Sequence, residues 1–122
     1  MIPLLVAVCG GLGAVSRFVL DGVIRSRIAT IVPAGTVVIN VSGSLLLGVL
    51  TGLVTAHAAP ADLRVVLGTG FLGGYTTFST AMVETVRLLQ QRRWMAAGAN
   101  GIGMMLLGLG AAVLGVFLGS LA

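Results

Sequence analysis

Lysine is absent from this 122-residue chain, and its acidic side chains are only three: Asp21, Asp62 and Glu84. Charged residues make up 8% of the sequence, where a soluble domain carries roughly 25%. So few cannot cover a globule with polar surface. Histidine occurs once, as His57, and cysteine once, as Cys9. That excludes an intramolecular disulfide and any multi-cysteine metal site. Paired carboxylates, a phosphate loop and a nucleophile with a neighbouring base are missing as well, so the chain does not read as an enzyme. His57 reads as a solvated loop residue and Cys9 as a small packing residue. The net charge of +4 rests on seven arginines. They are dispersed at the ends of apolar runs and form no basic stripe, so nucleic acid is not an expected partner.

Apolar length is plentiful. Hydrophobic residues account for 57% of the chain, and the mean hydropathy is +1.15. A lipid-facing exterior accommodates this composition, because apolar side chains then point outward as well as inward. About 20 residues of helix cross the roughly 30 Å hydrocarbon core. The pattern predicts an all-α integral membrane protein in one domain, residues 1–122, with four transmembrane helices at about 2–20, 33–56, 62–89 and 94–121. No basic residue precedes the first apolar run, which therefore reads as a retained helix rather than a signal peptide. Pro33 suits the first turn of the second span. Asp62 is the expected N-cap of the third, and Trp94 sits where an interfacial aromatic belongs.

The third span is expected to break in mid-membrane. Gly68-Thr-Gly-Phe-Leu-Gly-Gly-Tyr-Thr-Thr-Phe78 gathers four glycines and three threonines at bilayer depth. Unwound backbone there survives only where protein, an ion or a water-filled cavity meets its polar groups. Arginines set the orientation. Arg25, Arg27, Arg92 and Arg93 lie in the first and third loops, with Arg17 and Arg87 near the same side. The positive-inside rule places those loops in the cytoplasm and both termini outside the cell's inner or plasma membrane. The pairs Gly48/Gly52, Gly70/Gly74 and Gly115/Gly119 have the spacing that lets helices approach closely. Whether they do so within or between subunits is open from spacing alone, although four short helices enclose so little interior that an oligomer is expected.

Neutral polar side chains carry the remaining signal. Thr36, Asn40, Ser44, Gly48, Thr51 and Thr55 recur every three or four residues and share a face of the second span. Hydroxyls can bond back to their own helix. The Asn40 amide cannot do so as readily and needs a partner, a water or a permeating ion. Phe78 stands among hydroxyls and has an electropositive edge that an anion could face. Arg17 and Glu84 are ionisable residues in or near the spans, and Glu84 with Arg87 forms a candidate helical pair.

Three segments together resemble the CrcB/Fluc family of fluoride channels, and the match covers essentially the whole chain. They are Gly10-Gly-Leu-Gly-Ala-Val-Ser-Arg17-Phe, Gly35-Thr-Val-Val-Ile-Asn40-Val-Ser-Gly43 and Gly70-Phe-Leu-Gly-Gly-Tyr-Thr-Thr-Phe78-Ser-Thr. The resemblance implies an antiparallel, dual-topology dimer with fluoride pathways at the subunit interface. Asn40 and Phe78 would line the pathway and Ser79 and Thr80 would belong to its polar track, with Thr36 and Ser44 as further pore-lining candidates from the shared face. A structural sodium ion would sit at the break on backbone carbonyls that map to Gly73 and Thr76. The implied role is passive export of cytoplasmic fluoride. Where the family usually has a second phenylalanine this chain has Ala81, and its usual tyrosine and serine on the fourth span fall at Asn100 and Met104. Together with the biased arginines, these departures suggest one half of a heterodimer with an oppositely oriented homologue. The alternative is a non-conducting partner subunit. A proton-coupled small multidrug exporter is disfavoured, because the first span has no carboxylate before Asp21.

Overall fold

A computed structural model describes residues 1–29, 33–57 and 59–122. Among them the regular structure is helical: α1 (Ile2–Arg27), α2 (Ala34–Ala56), α3 (Ala61–Leu63), a π-helical stretch Arg64–Leu72, α4 (Gly73–Tyr75), α5 (Phe78–Gln90) and α6 (Trp94–Leu121). Three of these, α1, α2 and α6, are individually long and apolar enough to cross a membrane. The third crossing is assembled from the shorter pieces between Ala61 and Gln90.

Helix α1 runs seven residues past the expected end at Leu20 and takes in Asp21, Arg25 and Arg27. Arg25 Nε donates to Asp21 Oδ2 across one turn at 2.9 Å. Basic residues also favour the negative C-terminal end of a helix. Pro33 caps α2 from just outside, and Pro60 does the same for α3. Asp62 is thereby a first-turn residue rather than the expected N-cap, in a position the helix dipole favours equally.

Within the segment Gly68 to Phe78, where the sequence places the break, the glycines themselves do not unwind. The amide of Gly73 reaches the Gly68 carbonyl five residues back, so the chain widens into a π-helix and stays hydrogen-bonded. Its glycines serve contact with α1. A methyl group on Gly74 would collide with the Gly10 carbonyl, one on Gly13 with the Phe71 carbonyl, and one on Gly70 would come within 3.0 Å of the Val6 oxygen. Only Thr76 and Thr77 are extended (φ/ψ −79°/159° and −147°/118°), which narrows the break to two residues.

The six paired glycines all work within the chain. Helices α2 and α6 run parallel and form the most extensive contact. Side chains on Gly48 and Gly52 would strike the carbonyls of Ala112 and Val116, and side chains on Gly115 and Gly119 those of Leu45 and Val49. His57, expected as a free loop residue, joins the two C-terminal ends through Nε2 and the Ser120 oxygen at 2.9 Å. The broken crossing divides its partners: its first half packs on α1 and α5 packs on α6. Ile39, Leu72 and Tyr75 form the buried centre, with Phe71 stacked on Tyr75 at 6.1 Å. Elsewhere the outer faces carry exposed Leu, Val, Met and Phe side chains, Phe18 at 80% among them. Such an apolar exterior suits lipid.

Candidate ion pathway at the helix break

In a continuous helix the Thr77 amide would return to the Gly73 carbonyl and the Thr80 amide to Thr76. Both are diverted. Thr77 N–H donates to Asn40 Oδ1 at 2.8 Å, and Thr80 N–H donates to Thr77 Oγ1 at 3.2 Å, which caps α5. Asn40 Nδ2 in turn donates to the Thr77 carbonyl at 2.8 Å. One side-chain amide thus stands in for a neighbouring strand and satisfies both backbone groups of Thr77. Arg17 Nε donates to the Gly74 carbonyl at 3.3 Å, and the Thr76 amide and hydroxyl both return to Leu72 O at 2.9 Å. The carbonyls of Gly73 and Thr76 receive no donor among the described residues. They are the two positions where the resemblance places sodium, and bare carbonyl oxygens are the ligands a hard cation takes. No group of His, Cys, Asp and Glu that could hold a metal occurs among the described residues.

Gly73, Thr76 and Asn40 open onto a groove of about 910 Å³ between α2, the break, α5 and α6. Its lining is mostly apolar, with Ser44, Phe78 and Met104 beside them. Phe78 is 79% exposed and is not a core residue. Ser79 is exposed at the start of α5, and Thr80 is half-buried with its hydroxyl accepting from Thr77 Oγ1 at 3.1 Å; neither lines this groove. Thr36 departs from the expected track. It is 1% exposed, and its hydroxyl donates to Glu84 Oε1 at 2.9 Å, so it faces the protein interior. Further along α2, Thr51 and Thr55 return their hydroxyls to their own helix, and Gly48 belongs to the α6 seam.

Glu84 is buried and its partner is Arg25 of α1, at 2.9 Å, rather than Arg87 one turn away. Arg25 also holds Asp21, so one guanidinium joins two carboxylates. The i,i+4 spacing of Asp21 and Arg25 is visible in sequence; the link to Glu84 crosses 59 residues. The two ends of that bridge are unequal, because Arg25 is 56% exposed at its side chain and Glu84 7%. Arg25→Leu is therefore expected to cost about 3 kcal/mol, since it strands a buried carboxylate. Glu84→Gln is expected to cost about 1 kcal/mol, because Arg25 can turn to water and the amide still accepts from Thr36. Unfolding of the two variants in detergent checks the order; equal losses would contradict it.

At the positions where the sequence departs from the family pattern, the side chains are buried. Asn100 is 1% exposed and donates to Thr85 Oγ1 at 2.8 Å, with Ala81 O at 3.4 Å. Ala81 is 3% exposed, and Met104, at 8%, places Sδ 3.2 Å from Asn40 Nδ2. The sequence marks Asn40 but holds no local signal for Thr77 or Met104 as its partners.

Apolar membrane-length helices, one broken crossing and a groove that opens on the break define a helical membrane protein with a transport-type site. The chain belongs to the CrcB-like family: the model described as "CrcB-like protein, Camphor Resistance (CrcB)" matches residues 4–116. It is 58% identical over 122 residues to a "Fluoride-specific ion channel FluC 1" of Leifsonia xyli subsp. xyli, covering all of this chain and 89% of that protein. It is 50% identical over 121 residues to a "Fluoride-specific ion channel FluC 2" of Cutibacterium acnes, covering 98% of each. A "Fluoride-specific ion channel FluC" of Syntrophotalea carbinolica is 46% identical over 114 residues, 93% of each chain.

Proposed function

We propose that this chain is a subunit of a fluoride-selective channel that lets cytoplasmic fluoride leave the cell passively. The observation that carries the reading is the Asn40–Thr77 pairing. It holds a helix break open beside a mostly apolar groove whose few polar groups are neutral amides and hydroxyls, with Phe78 among its walls and no fixed cation among the lining residues. Fluoride is small and strongly hydrated, so a selective path must replace its water with hydrogen-bond donors. Neutral donors do so without the deep trap of a fixed charge, and release remains possible. The names of the relatives point to the same ion.

The groove is one-sided and wide, which supports a pathway completed by a second subunit inserted in the opposite orientation. Two bare carbonyls are too few to enclose a sodium ion, so Gly73 and Thr76 would share it with their counterparts in that subunit; bound there, the ion would satisfy stranded oxygens and brace the pair. The arginine bias supports cytoplasmic first and third loops with both termini outside the inner or plasma membrane. A single biased orientation suits a heterodimer with an oppositely oriented homologue better than a homodimer. The buried Ala81, Asn100 and Met104 favour the second reading, a non-conducting partner subunit.

Fluoride efflux from liposomes containing only this purified chain, with chloride as control, tests the reading. Fluoride-selective efflux supports a conducting homodimer and counts against the heterodimer. No efflux alone, but efflux above the homologue's own level on co-reconstitution, supports the heterodimer. No contribution in either setting overturns the conducting reading. The same vesicles made without sodium are expected to lose efflux; unchanged flux would remove the sodium from the proposal.

A further inference from the structure

The amide of Asn40 is committed more fully than its place on the groove suggests. Its orientation is fixed by Thr77, because Oδ1 accepts the Thr77 N–H and one Nδ2 hydrogen goes to the Thr77 carbonyl, both at 2.8 Å. Flipping the amide would set donor against donor and acceptor against acceptor. The second Nδ2 hydrogen is the one an anion in the groove would use, and it is aimed at Met104 Sδ, 3.2 Å away. Met104 lines the same groove. One turn further along both helices the arrangement differs: Gly108 faces Ser44, with room for a Cβ 3.5 Å from the hydroxyl. Ser44 is therefore uncovered by α6 where Asn40 is covered.

We infer that Met104 is a displaceable cover over the anion-binding donor of Asn40, and that its departure limits fluoride access. The inference rests on the fluoride-conducting reading. A thioether is a weak acceptor, whereas an amide bond to an anion is charge-assisted and roughly twice as strong as a neutral one. A fluoride that has shed its water on that side therefore outcompetes the sulfur for the hydrogen. Between ions the sulfur keeps the donor satisfied without a trapped water. Methionine suits this task because its unbranched chain, with three rotatable bonds, leaves and returns within a packed wall. The groove offers space for the displaced side chain beside Met105 and Gly108. Asn100, one turn before Met104, is held on Thr85 and Ala81, so the backbone beneath the cover stays fixed while the side chain moves.

The test follows the Asn40 side-chain amide by nitrogen-edited NMR in detergent micelles during titration with sodium fluoride, with sodium chloride as control. Fluoride efflux is measured in parallel for the wild type, Met104→Ala and Met104→Leu. Met104→Ala is expected to lower the half-saturating fluoride at Asn40 about fivefold, the worth of one modest hydrogen bond, and to speed efflux. Met104→Leu keeps the bulk and the fold while removing the acceptor. One Asn40 amide proton should then move upfield without fluoride, and efflux should rise less than in Met104→Ala. Identical Asn40 resonances and fluoride response in all three proteins would overturn the cover. Fluoride-selective efflux indifferent to Met104 would overturn it while leaving the channel reading intact. No response at Asn40 and no efflux in any variant would overturn both. The amide signal needs no flux, so it separates these outcomes even in a chain that conducts only with a partner.

Discussion

Asn40→Ala is expected to lower fluoride efflux at least about tenfold and to destabilise the fold by about 2–4 kcal/mol. The stability loss follows from arithmetic on two backbone groups. Removing the amide strands Thr77 N–H and C=O together; Thr77 is half-buried, so each group left without a partner costs about 1–2 kcal/mol, the lower part of the range for buried groups. The flux loss follows from the same bonds. Without them nothing holds Thr76 and Thr77 extended, and the stretch is free to close toward the helix it interrupts. Asn40→Asp separates the two effects: its carboxylate still accepts from Thr77 N–H but donates nothing and repels the anion. Efflux should then fall as far as in Asn40→Ala, with a smaller loss of stability. Proteoliposome efflux and detergent unfolding measure both quantities, and wild-type flux in Asn40→Asp would refute the assignment of Asn40 to the pathway.

Gly48→Val is expected to have the larger effect on folding, with a loss of about 3 kcal/mol or more and little protein recovered from membranes. Its side chain would enter the space of the Ala112 carbonyl and the Gly115 backbone. No rotamer relieves a contact made by Cβ itself, so α2 and α6 must separate along the whole seam. Gly110→Val on the same α6 is the control, because a Cβ there meets nothing within 4 Å. It is expected to change stability by less than about 0.5 kcal/mol. Equal yields and melting temperatures for the two variants would show that the seam does not hold the helices together.

The crossings are legible in sequence because hydropathy and helix length are local quantities, and the two ends of α2 and α6 fall within a residue or so of expectation. Their partners are not. Asn40 stands out as a polar group in need of a bond, yet Thr77 is 37 residues away and no spacing rule reaches it. Glu84 illustrates the same limit: Arg87 is the helical neighbour, but the chain folds Arg25 of α1 against it instead. Glycine misleads in a different way. The segment Gly68 to Phe78 reads as broken backbone, but its glycines are not the part that unwinds: their missing side chains make room for α1 while the hydrogen bonds persist in a wider helix. Inside that segment the break falls on its two threonines Thr76 and Thr77, and the Thr77 hydroxyl restarts the helix as a cap. Periodicity puts Thr36 on the polar face, and that is geometrically sound; a buried carboxylate opposite its end of α2 claims it.

The divided third crossing has a consequence for how the chain enters the bilayer during synthesis. Among the described residues three helices are long and apolar enough to cross a membrane, and this segment supplies none of them. Its first half emerges from the ribosome after α1 and α2 and finds the glycine surface of α1 already present. Its second half, α5, has its main partner in α6, which has not yet been made. Membrane entry of this crossing is therefore expected to be delayed and cooperative, depending on the helix that follows it as well as on its own affinity for lipid.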